Sequence, residues 1–431
     1  MKEITKIGSY RWTICGLIFF ASTINYLDRQ VIAVLKGTLE TKLGISELYY
    51  GYIIMAFQLS YAVGMLIVGR IIDYIGTKLG YALSLVAWSI AAMLHALAKT
   101  PFSFGIFRSL LGFSESGNFP AAIKVVAEWF PKKERALATG IFNSGTNIGA
   151  ILAPLLVPWL ARKWGWQSAF IILGGVGFIW LILWYILYET PEKQKRLSQT
   201  ELDYIKSDTD EKETNKNQIA WSSLLKYKQT WAFSIGKLLT DPIWWFYLYW
   251  IPGWLDKVRG TGLDLKNFGL PLVVIYISST FGSIVGGWLS SIMIKKGIAV
   301  YKSRKYTMLL FAILVIPVMF TQTDGVSLWG AIAFLSLAAA SHQAWSANIF
   351  TTVSDMFPKR AVSTVTGIGG MAGALGGVFI AFFAGYILNV TKSAGHIKTG
   401  YTVLFIIAGC AYFMAWIIFN ILAPKMKRVE L

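Results

Sequence analysis

The sequence predicts an all-α membrane protein of twelve transmembrane helices in two pseudo-symmetric six-helix bundles. Three observations predict it. Apolar residues come in blocks of about 20, the length a helix needs to cross a ~30 Å hydrocarbon core. Of the 431 residues, 55% are hydrophobic and only 14% charged, against roughly 25% charged in a soluble domain. The pattern of the first six blocks also returns in the last six. Strands of a membrane barrel would alternate in polarity and run only about 10 residues each.

In chain order the spans read 13–33, 49–71, 79–98, 101–127, 137–160, 165–188, 231–254, 267–294, 305–322, 326–354, 362–390 and 400–423. The first follows Lys2, Lys6 and Arg11 and runs into Asp28 and Arg29 with no small-residue cleavage site, so it is expected to remain as a helix. The second and third are joined by the turn sequence GRIIDYIGTK, Gly69 to Lys78. The fourth carries Arg108, Glu115 and Lys124 in an otherwise apolar stretch, and the fifth follows the basic turn FPKKER. The sixth ends at the only long polar segment, 189–230, which includes SDTDEKETNKNQ. That segment divides the chain into an N-terminal bundle (1–188), a linker (189–230) and a C-terminal bundle (231–431). The seventh span is aromatic-rich and holds Lys237; the eighth precedes the basic loop Lys295–Arg304. The ninth follows that loop, the tenth holds His342, and the eleventh is spaced by Gly370, Gly373 and Gly376 as close helix packing requires. The twelfth closes before the basic KMKR.

The net charge of +18 is topological information rather than a nucleic-acid footprint. With the N-terminus on the cytoplasmic side, 26 of the 40 Lys and Arg residues fall on that side and 10 on the other, which predicts both termini inside the cell. Trp and Tyr gather at block ends (Tyr10, Trp12, Trp164, Trp166), as an interfacial belt does. Cys15 and Cys410 lie within the first and last blocks, where neither a disulfide framework nor a metal site is expected.

Sliding the chain by 227 residues lays EWFPKKERALATGIFNSGTNIGA, from Glu128, over DMFPKRAVSTVTGIGGMAGALGG, from Asp355. Phe130, Pro131, Lys132, Thr139, Gly140 and Gly149 then coincide with Phe357, Pro358, Lys359, Thr366, Gly367 and Gly376. Upstream an offset of 218 or 219 sets Trp12 on Trp231 and Gly69 on Gly287, the longer loop at 295–304 absorbing the difference. A six-span unit repeated in the same orientation is the parallel-repeat arrangement. In the turn after span two, Gly69 and Gly76 allow close helix approach and a tight turn. Asp73 is placed to cap the next span and to meet basic groups of a neighbouring bundle. In the second copy Ser291 stands where the acidic residue would be.

An ionisable group at mid-span costs at least ~2.5 kcal/mol on insertion scales, so each is a functional candidate. Asp28 and Arg29 are adjacent and project about 100° apart on a helix; the competing reading is a pair at the helix end. Arg108 and Glu115 share one face, and could equally form a structural ion pair with another helix. Lys237 could snorkel to the interface, and Lys124 reads as interfacial. His342 falls, by the 227 offset, on the repeat position of Glu115, although a lone membrane histidine is commonly a packing residue.

The segment from Gly69 to Lys78 resembles the loop motif of the major facilitator superfamily, Gly-x-x-x-Asp-basic-x-Gly-x-basic, carried by Gly69, Asp73, Gly76 and Lys78, with Tyr74 departing from it. NYLDR, Tyr61, RSLLGFSES and the stretch from Glu128 through span five look like its anion:cation symporters. HQAWSANIFTTVSDMFPK and KLLTDPIWWFYLYWIP look most like bacterial hexuronate transporters. The resemblance implies import of a small anionic sugar acid by proton symport with alternating access, in the inner membrane and by a monomer. It implies that Arg29 binds the substrate carboxylate with Tyr26 and Tyr61 beside it. Asp28 and Glu115 would be protonation sites, with Arg108 attending Glu115, and Lys237, His342 and Gln343 would contribute to binding. Where sugar-acid relatives carry glutamine on span five this chain has Thr146 and Asn147, so the hydroxyl contacts differ.

Other classes fit poorly. GIGGMA from Gly367 imitates a dinucleotide fingerprint but lies inside an apolar span with no strand before it. There is no Walker loop, no His-Glu-x-x-His and only three histidines, so no catalytic residues, metal or cofactor are expected, nor a nucleic-acid partner. An anion exchanger of the organic-phosphate type is the nearest rival, and a channel or receptor without turnover is a third. Intramembrane carboxylates favour proton symport, because an exchanger needs no titratable carrier.

Overall fold

The computed structural model describes residues 8–45, 47–208, 221–259 and 270–430. The middle of the linker with most of its charged run, Lys2, Lys6 and the predicted start of span eight lie outside them. Among the described residues every regular element is helical. In order these are α1 (Tyr10–Leu43), α2 (Glu47–Ile75), α3 (Thr77–Leu94), α4 (Pro101–Glu115), α5 (Asn118–Trp129), α6 (Lys132–Trp164) and α7 (Trp166–Leu187). The linker contributes α8 (Gln199–Ile205) and α9 (Trp221–Leu224). The second half holds α10 (Lys228–Arg259), α11 (Leu270–Lys295), α12 (Val300–Val315), α13 (Leu328–Met356), α14 (Lys359–Ser393) and α15 (Ile397–Leu422). These agree with twelve spans when α4 and α5 together occupy the place of the fourth.

Seven of these helices are long and apolar enough to cross a membrane, or eight if bent α6 is included. Those that fall short, α1, α4 with α5, α10 and α13, carry Asp28, Arg29, Arg108, Glu115, Lys237, Asp241 and His342. The polar residues that lower their apolarity are the ones that meet in the interior. α6 bends by 41° between Ala153 and Leu155, where the sequence has a proline.

Span four is not one helix. The chain turns at Ser116 and Gly117 between α4 and α5. Pro120 has no N–H to give the Ser116 carbonyl, so the helical ladder cannot run through. The Ser114 and Ser116 hydroxyls bond back to carbonyls of the preceding turn, Ser116 to Phe113 at 2.6 Å. Glu115 thereby ends α4, fully buried.

The repeat is visible as two matching seams between the halves. Where α2 crosses α14, a side chain at Gly69 would strike the Ser363 carbonyl, and one at Gly367 the Met65 carbonyl. Where α11 crosses α6, Gly287 lies against the Ala136 carbonyl and Gly140 against that of Ser283. Ala136 and Ser363 are 227 residues apart, and Met65 and Ser283 are 218 apart, the two sequence offsets. The side-chain latches match as well. Asp73 accepts from the Thr364 backbone N–H at 2.6 Å, and Ser291 accepts from that of Leu137 at 3.3 Å.

Asp73 therefore grips the second turn of α14 and does not cap the next span. Its oxygens also take the Thr364 hydroxyl (2.6 Å), the Ser363 N–H (3.3 Å) and the Lys124 ammonium (2.8 Å). Lys124, expected at the interface, is only 5% exposed because it serves this carboxylate. α3 begins at Gly76 (φ 88°) with no side-chain cap. At the same end Arg304 binds Asp355 at 2.9 Å and the Lys132 carbonyl at 2.8 Å, and Arg135 donates to the Ser354 carbonyl. Outside the spans, Lys78 donates to Glu189 at 2.8 Å and holds that carboxyl below the usual range. The Glu201 carboxylate of α8 accepts the Tyr10 and Arg11 N–H groups that open α1, each at 3.1 Å. The halves are thus clasped at the end that carries the linker and both chain ends.

The glycine seams give a direct expectation. In a chain lacking Cys410, Gly367→Ala puts a methyl group against the Met65 carbonyl and disfavours the clasped arrangement by ~1 kcal/mol, the low end of overpacking. A cysteine placed at Ser346 should then react about fivefold faster with a thiol reagent reaching it from the linker side. An unchanged labelling rate would show that the seam tolerates the methyl group.

Candidate binding site

Between the halves lies a small cavity of about 60 Å3, well below the ~300–1,000 Å3 range of open small-molecule sites. One wall is made by Tyr26 of α1, Tyr61 and Met65 of α2, Phe119 of α5, and Asn143 and Thr146 of α6. The opposite wall carries Lys237, Asp241, Trp244 and Trp245 of α10, His342, Gln343, Ser346 and Phe350 of α13, and Gly370 and Ala374 of α14. Phe119 stacks on Phe350 with ring centres 5.1 Å apart, joining the walls.

Arg29 stands just behind Tyr26 and Tyr61. Its guanidinium lies 4.6 Å from the Tyr26 ring centre and 4.9 Å from those of Phe57 and Tyr61, an aromatic cage that favours a cation. Its Nε donates to Glu115 Oε2 at 3.0 Å, and Nη2 lies 2.9 Å from the same oxygen without the alignment of a hydrogen bond. Nη1 and Glu115 Oε1 have no hydrogen-bond partner among the described residues. The pair is therefore held through one carboxylate oxygen, leaving one edge of the guanidinium fork unfilled. Such a buried, unmatched donor edge is costly unless something completes it.

Arg108 was expected to attend Glu115. Its charge reaches that carboxyl, and its Nη2 donates to the Arg29 carbonyl at 2.8 Å, with the guanidinium 4.6 Å from the Phe57 ring centre. It buttresses α1 at the residue whose side chain holds Glu115. Asp28 is 2% exposed, and neither carboxyl oxygen has a hydrogen-bond partner among the described residues. It is neither at a helix end nor in an ion pair with Arg29, because adjacent positions on α1 point them apart.

On the second wall Lys237 pairs with Asp241 one turn along α10, at 2.8 Å, and its ammonium sits 3.9 Å from the Phe350 ring centre. Lys237 thus stays in the cavity wall instead of reaching for the interface. His342 stacks flat on Trp244, ring centres 5.0 Å apart at 6°, and its Nδ1 hydrogen-bonds with the Tyr412 hydroxyl at 2.5 Å. The histidine is both a packing residue and a lining one. Gln343 Oε1 accepts from Asn143 Nδ2 at 2.7 Å, a bond between the halves, and Asn143 also reaches Ser283 at 3.2 Å. Thr146 lines the cavity and donates its hydroxyl to the Asn143 carbonyl at 2.7 Å. Asn147 is buried beside it but is not among the lining residues.

Sequence reasoning missed Asp241 and Asn143. Asp241 had a signal, since an acidic residue four positions after a lysine within an apolar block is a helical ion pair. Asn143 had none beyond its polarity, because its importance lies in a partner 200 positions away.

A family model described as Major Facilitator Superfamily matches residues 18–381. The hexuronate transporter of Escherichia coli (strain K12) is 34% identical over 391 residues, covering 89% of each chain. The galacturonate transporter of Dickeya chrysanthemi is 34% identical over 315 residues, 72% of this chain and 90% of that one. A probable galactarate/D-glucarate transporter of Escherichia coli (strain K12) is 28% identical, covering 98% and 96%. Among solved structures, a proton:xylose symporter bound to 6-bromo-6-deoxy-D-glucose superposes with a TM-score of 0.75 at 15% identity, over 95% and 94% of the two chains. At that identity the likeness is one of fold.

Proposed function

The chain belongs to the Major Facilitator Superfamily, and from that premise we propose that it imports a hexuronate or closely related sugar acid by proton symport. The observation that carries the reading is the attachment of Arg29 to a single oxygen of Glu115 inside an aromatic cage at the cavity wall. A guanidinium offers two parallel donors to a carboxylate. While Glu115 is ionised it competes with the substrate for them. A proton on Glu115 removes the competitor and frees the fork for the incoming carboxylate, so proton and anion load together. Arg108, bonded to the Arg29 carbonyl, fixes the backbone from which the fork projects. Tyr26 and Tyr61 shield the site from water, and Thr146, Asn143 and Gln343 supply hydroxyl-reading groups.

Release follows from the seams. The bundles 1–188 and 231–431 rock about the cavity, breaking the Asp73 and Ser291 latches at the linker end. The excess of basic residues at that end supports its lying in the cytoplasm of a bacterial inner membrane. Uptake of labelled sugar acids by vesicles, with and without an inward pH gradient, tests the reading. Glucuronate or galacturonate should accumulate only with the gradient, and gradient-independent accumulation of organic phosphates would replace it with exchange.

Asp28 adds a second proton. Among the described residues its buried carboxyl has no hydrogen-bond donor, and burying an ionised group without hydrogen bonds is costly. Moving one negative charge inward against 100 mV costs about 2.3 kcal/mol, roughly a fiftyfold exclusion of a hexuronate monoanion. One proton cancels that charge and a second makes uptake electrogenic. Proteoliposomes at equal pH, given a potassium diffusion potential negative inside, should accumulate substrate. Transport indifferent to the potential would leave Glu115 as the sole carrier.

A further inference from the structure

The second charged pair, on α10, has no part in loading the carboxylate, yet it faces the same space. Lys237 and Asp241 both line the cavity from the wall opposite Tyr26 and Tyr61, behind which Arg29 sits. The lysine is almost enclosed, its side chain 5% exposed, whereas that of Asp241 is 20% exposed. The outer member of the pair is therefore the anion. Its position is made possible by Gly373 of α14, where any side chain would collide with the Asp241 carboxyl. Asp241 already holds the Lys237 ammonium at 2.8 Å, so that cation is engaged when the cavity is empty.

A sugar acid whose carboxylate sits on Arg29 turns its opposite end toward this pair. An ionised carboxylate accepts hydrogen bonds only. It suits hydroxyl groups, which donate, and repels a second carboxylate, which can only accept and carries like charge. Rejection of this kind, by a repulsive group rather than by missing contacts, is an effective route to specificity. We infer that Asp241 is the specificity-determining residue of the cavity: it reads the hydroxyl end of a sugar monoacid and excludes sugar diacids. The inference rests on the sugar-acid reading above and deepens it. With the carboxylate gone, Lys237 would be free to receive a second acid group, and the exclusion would turn into tolerance.

The test compares ligands that differ only at the far carbon. Labelled D-galacturonate or D-glucuronate is bound to the full-length carrier in proteoliposomes and displaced by the corresponding aldarate or by its monoamide. The diacid and the monoamide have one size and differ by one charge. The wild type should bind the monoamide at least about fivefold more tightly than the diacid, and Asp241→Asn should close that gap. Equal displacement by the two ligands in the wild type overturns the inference without any variant, so a poorly folding substitution cannot protect it. A folded Asp241→Asn carrier that keeps the full gap also overturns it. If that variant instead binds mono- and diacids tighter alike, Lys237 is the primary carboxylate site and Asp241 merely its competitor, which overturns it too. A wild type that binds neither uronate removes the sugar-acid reading itself, an outcome distinct from a uronate-binding carrier that fails to discriminate.

Discussion

Glu115→Gln is expected to abolish accumulation driven by a pH gradient while leaving exchange of labelled for unlabelled substrate largely intact. The amide oxygen can still accept from Arg29 Nε, which now bonds Glu115 Oε2 at 3.0 Å, so the cage around the guanidinium should persist. What is lost is the ability to compete as an anion. A permanently neutral residue mimics the loaded, protonated carrier, and exchange requires only that the loaded carrier turn over. Net uptake also requires return of the empty carrier with the proton shed, a step glutamine cannot make. The measurement is paired uptake and counterflow in the same proteoliposomes. Surviving pH-driven accumulation would move the proton pathway away from Glu115, and loss of both activities would point to a structural ion pair instead.

Arg29→Lys should lower substrate affinity ten- to a hundredfold, about 1.4 to 2.7 kcal/mol, without preventing insertion or folding. The charge is kept, so Glu115 keeps a counter-ion. Lost are the planar fork and its stacking among Tyr26, Phe57 and Tyr61, whose ring centres lie 4.6–4.9 Å from the guanidinium. An ammonium is a point charge with stronger hydration and no flat face to offer. Binding to purified protein, with thermal unfolding as a control for folding, checks the result. Unchanged affinity would remove Arg29 from the carboxylate site.

The sequence made legible whatever depends on local pattern or on internal repetition. Apolar blocks gave the helices to within a few residues at most ends, although α1 continues to Leu43, ten residues beyond its predicted end. The two offsets identified equivalent positions: Gly69 and Gly287 occupy matching places on the two seams. Mid-span charges drew attention to Asp28, Arg29, Arg108, Glu115 and Lys237, because a charge in hydrocarbon has to be answered by something. Pairing was not legible. The resemblance set Arg108 beside Glu115, and the alternative of an ion pair with another helix left the partner unnamed; it is Arg29 of α1, 86 positions away. The break in span four could have been read from Pro120, and it is this break that leaves Glu115 at the end of α4. Linker helix α8 also had a signal in Ser198 and Glu201, the spacing of a capping box. The Ser198 hydroxyl does cap α8 through the Glu201 N–H at 3.3 Å, but the Glu201 carboxylate is spent on the start of α1.

The two latches are related by the repeat but are not equal. Asp73 gathers three donors from the second turn of α14 and a lysine from its own half, whereas Ser291 receives one backbone N–H from the second turn of α6. Bonds to a charged acceptor are roughly twice as strong as neutral ones, so this latch outweighs its twin, but the α6–α11 side has further bonds: Ser283 to the Gly140 carbonyl at 2.9 Å, Asn143 to Ser283 at 3.2 Å and Arg304 to the Lys132 carbonyl at 2.8 Å. A molecule bound this way does not part like a pair of mirrored leaves. The α2–α14 edge is held mainly at one carboxylate, the α6–α11 edge by bonds spread along its length.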